Sequence, residues 1–134
     1  MNTTASLIQK YYQAFNQQNI ELMLQCLHPQ VVHEINEGES QIGLQLFRQF
    51  LHRMNTHYSE NLTDIKIMTD DTLKFATARF YVNGTYLQTD PGLPNARGQK
   101  YKIPALGYFE IEDGLIKKVS VFYNLKKWIE AVSP

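Results

Sequence analysis

Residues 10–16, Lys10-Tyr11-Tyr12-Gln13-Ala14-Phe15-Asn16, decide how this chain is read. Leu7, Tyr11 and Phe15 recur every four residues with Ile8 and Tyr12 beside them, the stripe of a helix buried along one side. Thr3 or Thr4 offers a hydroxyl to cap its start. A run of strand-like segments follows. The stretch therefore reads as the lid helix of a cone-shaped α+β fold, with Tyr11 aimed into the cone.

Working outward, Asn19 caps a second, short helix through Ile20, Met23, Leu24 and Leu27, which His28-Pro29 stops. Residues 31–36 read as a strand and Glu37-Gly38-Glu39 as its turn. Leu44, Phe47, Phe50, Leu51 and Met54 mark a third amphipathic helix running to about His57. Residues 62–68 and 72–87 read as strands joined at Asp70-Asp71. Residues 99–111 and 115–123 are strands joined by Asp113-Gly114, a strong two-residue hairpin signal. Asn124 caps a closing helix bearing Leu125, Trp128, Ile129 and Val132. Between the middle strands, Pro91, Gly92, Pro94 and Gly98 argue against any regular element, and loops of this length in small domains are often functional. The expected architecture is one domain over residues 1–134. A strongly bent antiparallel sheet packs against three N-terminal helices, a short C-terminal helix closes it, and a concave pocket lies between.

Composition narrows the function. A chain of 134 residues builds one core without staples. Hydrophobic residues make up 43% and charged residues 19%, as in ordinary soluble domains. The formal net charge is zero, so there is no electrostatic footprint for nucleic acid or an anionic membrane, and little repulsion between copies. Cys26 stands alone in an apolar stretch, which excludes an internal disulfide or a cysteine metal cluster and reads as a small core hydrophobe. No stretch approaches the roughly 18 apolar residues of a membrane span, and no basic-then-apolar leader opens the chain. A cytoplasmic location is expected.

Five stretches are more particular: residues 11–16, His33-Glu34-Ile35-Asn36-Glu37-Gly38, residues 84–90, residues 92–99, and Phe122-Tyr123-Asn124-Leu125-Lys126-Lys127-Trp128. Together they resemble the nuclear-transport-factor-2-like superfamily, and within it the SnoaL-like and ketosteroid-isomerase-related proteins, over nearly the whole chain. The resemblance implies a ligand pocket and a homodimer formed through the sheet. Ketosteroid isomerases use a tyrosine of the first helix as oxyanion donor, which Tyr11 matches. Their base aspartate, late in the first strand, falls on Ile35 with Asn36 next to it. Their second carboxyl lies around Leu106-Gly107, where this chain has no acid. SnoaL-like cyclases place an acid/base aspartate at the end of the last strand, which matches Asn124. One donor carries over and the carboxylates do not.

Each candidate has two readings. Tyr11 either polarises a substrate oxygen, where a fixed donor is worth about 3 kcal/mol, or is a core tyrosine bonded to a backbone carbonyl. His33 is the candidate base, since imidazole titrates at about pH 6.5 and alternation places it on the face of Val31 and Ile35. Otherwise it is a strand histidine bonded to a neighbour. Glu34 lacks the second histidine of a zinc helix and reads as a solvated or cross-strand charge. Asn36 orients a ligand or makes the turn; Asn124 caps the helix or touches the cavity. Asn55, His57 and Tyr58 end the third helix near the pocket mouth. Tyr86 and Tyr101 line the pocket or fill the sheet, and Tyr123 lines it or packs the last helix. Asp90 and Arg97 bracket the long loop and are expected to close it over the pocket as an ion pair.

The leading functional expectation is a small-molecule enzyme doing isomerase-, cyclase- or lyase-type acid/base chemistry on an apolar carbonyl or hydroxyl compound. His33 moves the proton, Tyr11 polarises oxygen, and Asn124 or Asn36 orients the ligand. Asn55, Tyr58, Tyr86, Asp90, Tyr101 and Tyr123 complete the binding site, with no metal and no cofactor. The alternative is a non-catalytic ligand-binding protein, or a dimeric interaction module, of the same fold.

Overall fold

The computed structural model describes residues 1–134. Its elements are α1 (Thr3–Asn16), α2 (Ile20–Gln25), β1 (Leu27–Glu34), β2 (Ser40–Ile42), α3 (Leu44–His57), β3 (Tyr58–Thr69), β4 (Phe75–Tyr86), β5 (Lys100–Glu112), β6 (Leu115–Phe122) and α4 (Leu125–Val132). The six strands form one sheet in the order β2-β1-β6-β5-β4-β3. The class is α+β, with the helices on one face of the sheet.

The apolar stripe of α1 buries Ile8, Tyr11, Tyr12 and Ala14. Its cap is Asn2, not a threonine: Asn2 Oδ1 accepts from the Ala5 amide at 2.7 Å. Thr4 already lies inside the helix, where its buried hydroxyl donates to the carbonyl of Leu73. Asn19 caps α2 as expected, accepting from the Leu22 amide at 3.1 Å. That helix ends at Gln25, ahead of the proline, because Leu27 already belongs to β1. The strand thus starts four residues earlier than its alternation suggested.

Three further differences concern the sheet. β1 runs parallel to β6, with His33 opposite Val119, so the sheet is mostly rather than wholly antiparallel. The three-residue edge strand β2 pairs with β1 and is too short to display any alternation in the sequence. Nor is the sheet strongly curled, against the expected strong bend. Its register shifts are local, at Leu27/Val32, Thr63/Lys66 and Glu110/Ile111. The ladder between β4 and β5 runs unbroken from Phe75–Glu110 to Thr85–Lys100, so nothing kinks its centre.

The hairpin at Asp113-Gly114 has both residues at positive φ (54° and 72°), the twist that favours tight antiparallel turns. On the inner face, Ala76, Ala78, Phe80 and Val82 of β4 and Ile103, Ala105 and Phe109 of β5 are buried under the helices. Alanines beside aromatics leave uneven relief on this face. No helix is long and apolar enough to cross a membrane.

Candidate functional site

Between the inner face of the sheet, α1, α3 and α4 lies a cavity of about 260 Å³. Of its 29 lining residues 22 are hydrophobic, so the few polar groups on its wall act with little screening. Phe80, Val82, Ile103, Ala105 and Val119 form the sheet side, and Phe47, Phe50, Leu51 and Met54 the α3 side. Leu93 of the long loop and Trp128 of α4 close the rest.

Tyr11 reaches this cavity from the buried stripe of α1. Its ring is held edge-on by Tyr12 at 5.3 Å and Phe109 at 5.9 Å. The ring belongs to the buried core, but its hydroxyl bonds to no backbone carbonyl and has no protein partner. Burial raises its pKa, with a smaller contribution from Cys26, so the phenol stays protonated and is a donor.

His33 also lines the cavity and is 4% exposed. Its ring stacks on Phe47 at 4.4 Å and meets Phe50 edge-on at 4.6 Å. Nδ1 is fully buried without a partner, so the reading in which a neighbour bonds this ring does not hold. Burial alone lowers the pKa to about 4. The imidazole is therefore neutral at pH 7. An unfilled acceptor costs less than a stranded N–H, which assigns the ring proton to Nε2.

The other sequence-derived residues divide. Asn36, Asn55, Tyr58, Asp90 and Tyr123 line the cavity. Asn36 also accepts from the Tyr123 amide at 2.9 Å, tying the turn after β1 to the end of β6. Burial raises the Tyr123 pKa, and Glu60 nearby raises it further. Asn124, Tyr86 and Tyr101 are not on the wall. Asn124 caps α4, accepting from the Lys127 amide at 3.1 Å. Tyr86 is fully buried, stacks on Tyr58 at 5.4 Å and donates to the Pro94 carbonyl at 2.7 Å. Tyr101 lies behind the wall, its hydroxyl on Glu60.

The expected Asp90–Arg97 pair is absent. Buried Asp90 pairs with Arg53 of α3, accepts from the Tyr58 hydroxyl at 2.8 Å, and its amide donates to the Tyr86 hydroxyl at 2.9 Å. Arg97 donates to the Val132 carbonyl at 3.1 Å. The loop is thus pinned to α3 and β3, where Asp90 is desolvated, rather than to its own far end. His57 holds the same loop through Nδ1 and the Gln88 carbonyl, 3.0 Å apart.

Glu60 and Arg53 are wall residues that the sequence reading missed. In Tyr58-Ser59-Glu60-Asn61-Leu62, alternation puts Glu60 on the face of Tyr58 and Leu62. The three polar residues in a row concealed it, because they read as a loop before a strand beginning at Leu62. Burial raises the Glu60 pKa, partly offset by the Tyr101 hydrogen bond.

Comparison with known proteins agrees with this architecture. A family model described as a SnoaL-like domain matches residues 8–119. A solved structure from Silicibacter sp. TM1040, named a putative polyketide cyclase, is 44% identical, with a TM-score of 0.96, covering 98% of this chain and 96% of that one. Another of the same name, from Pseudomonas putida KT2440, is 42% identical, with a TM-score of 0.95, covering 99% of each. An NTF2-like protein of unknown function from Burkholderia pseudomallei K96243 shares the fold at 13% identity, with a TM-score of 0.85 and 100% of both chains covered. No curated protein matches the chain. With most of its length matched by the family model, and an NTF2-like fold around an apolar cavity, this chain belongs to the SnoaL-like family.

Proposed function

We propose that the protein is a small-molecule enzyme carrying out proton-transfer chemistry, of cyclase, isomerase or lyase type, on an apolar carbonyl or hydroxyl compound. The observation that carries this reading is the unpartnered Tyr11 hydroxyl on the wall of a mostly hydrophobic cavity, which a neutral, unpartnered His33 also lines. An apolar wall binds carbon frameworks through burial, and a few donors fix the oxygen. Tyr11 donates to the substrate carbonyl and strengthens that bond as charge develops on oxygen, an effect worth about 3 kcal/mol in a dry site. His33 acts as a second neutral donor through Nε2. With burial lowering its pKa to about 4, it is a weaker base at neutral pH than a free imidazole, and donation rather than the expected proton removal is the role this reading gives it. Asn36 and Asn55 supply polar contacts at the wall. The name putative polyketide cyclase, carried by relatives above 40% identity, supports an oligo-carbonyl compound as substrate class and ring closure as the reaction.

Native mass spectrometry of the purified protein, with identification of the compound released from it, tests the reading. An apolar oxygenated compound that the protein converts on incubation supports it. The same compound recovered unchanged favours the non-catalytic binding protein.

The partner proposal is a second copy of this chain. On the outer face of the sheet, which no helix covers, Met68, Phe75 and Phe122 are 55%, 42% and 54% exposed. Sedimentation as a dimer at micromolar concentration supports this, and a monomer there contradicts it.

A further inference from the structure

We propose that Glu60 is the proton carrier of this cavity, the carboxylate that takes a substrate proton and returns it, with Tyr101 as its positioning residue. The proposal rests on the proton-transfer reading above and supplies the base that reading lacks.

The argument begins in the strand register. Glu60 of β3 stands opposite Gly84 of β4, and Gly84 stands opposite Tyr101 of β5. All three lie on the inner face. Tyr101 is therefore two strands from Glu60, and its hydroxyl still reaches Glu60 Oε2. It does so by lying flat across Gly84. A Cβ on that glycine would fall on the Tyr101 ring atoms Cζ and Cε2 and its hydroxyl oxygen. Gly84 has ordinary strand φ, so the absent side chain, not backbone freedom, is what the position uses. Trp128 meets the Tyr101 ring edge-on at 5.8 Å.

Those contacts engage Oε2 alone and leave Oε1 without a protein partner on a wall that is largely hydrocarbon. The cation of that wall, Arg53, is already paired with Asp90. Tyr58 from β3 and Tyr123 from the end of β6 face the same region as neutral phenols, and His33 from β1 is a neutral imidazole. Glu60 thus has one neutral donor and no counter-ion. The donor lowers the carboxyl pKa, but burial without a counter-ion outweighs it and makes the carboxylate more basic than in water.

Glu60 Oε1 removes the proton on the carbon beside the substrate carbonyl. The C–H electron pair becomes the enolate double bond, and the carbonyl π pair moves onto oxygen, where Tyr11 donates. The carboxylic acid formed then protonates the same carbon or another, or the enolate carbon attacks a second carbonyl of the substrate and the acid protonates the new alkoxide. Atoms balance without any other reactant.

The test follows deuterium incorporation beside the carbonyl of 2-tetralone, a two-ring enolisable ketone, by NMR in D₂O, with binding read from Trp128 fluorescence. Glu60→Gln is expected to bind the ketone and to lose roughly 100-fold or more in exchange rate, and Glu60→Asp to fall between. Tyr101→Phe removes the bond that lowers the Glu60 pKa, so the acid limb of the pH–rate profile moves to higher pH; a purely structural Tyr101 would leave the limb in place. ¹³C titration of Glu60 in the wild type gives a midpoint above that of free glutamate. Exchange persisting in Glu60→Gln, or a Glu60 midpoint at or below the free value, overturns this assignment alone. Binding without any exchange by the wild type overturns the enzyme reading with it. Should Glu60→Gln not fold, the Glu60→Asp rate and the Tyr101→Phe limb decide.

Discussion

His33 enters the folded state as a neutral imidazole between Phe47 and Phe50, having lost water without gaining a partner. Its pKa falls to about 4 on folding, so between about pH 6.5 and 4 the unfolded chain binds a proton that the folded chain refuses. Stability from this residue is complete above the unfolded pKa and declines as pH falls, by about 3 kcal/mol near pH 4. Denaturant titrations of the wild type and His33→Leu across this range are expected to differ in slope, the variant being flatter. Glu60 works in the opposite sense. Its raised folded pKa means that stability is lost as pH rises through the window between the unfolded and folded values. Glu60→Gln is accordingly expected to melt higher than the wild type at pH 7, as removal of a residue kept for the proposed proton transfer would. Tyr11 was legible in the sequence because a four-residue stripe fixes which side of a helix is buried. The environment of His33 on β1 was not, because the two phenylalanines that desolvate it lie on a separate element, α3.

At the scale of elements, the three-strand crossing Glu60–Gly84–Tyr101 depends on one missing methyl group. Gly84→Ala forces the phenol off its bond and is expected to destabilise the fold by about 1–3 kcal/mol, as overpacking does. It also moves Glu60 free of its donor. Chemical melts, read with the Glu60 titration, check both. The loop of residues 88–98 is held by Asp90 on Arg53, Tyr58 and Tyr86. Asp90→Asn keeps the shape and loses the charge, so amide exchange across the loop is expected to quicken while β4 and β5 stay protected. Most elements were legible: the caps at Asn19 and Asn124 and the Asp113-Gly114 hairpin act through neighbours in sequence. The parallel pairing of β1 with β6 and the partner of Asp90 depend on contacts far along the chain, and no local pattern encodes them.

The whole molecule is a sheet with two unlike faces. The inner face meets helices and encloses the cavity; the outer face leaves Met68, Phe75 and Phe122 open. The order of apolar stripes and strands was enough to read that layering, and the cavity followed from it. The Glu60 carboxyl did not, since the resemblance pointed to Ile35, Leu106-Gly107 and Asn124, while Glu60 lines the cavity from another strand. The proposed function requires proton transfer inside this cavity. Its most direct test is the rate of deuterium incorporation into 2-tetralone by the wild type and by Ala105→Phe, which places a ring in the hollow from β5. We expect the wild type to exceed buffer clearly and a folded Ala105→Phe to fall back to it. Equal rates in the two proteins, or a wild-type rate no faster than buffer, would contradict the claim.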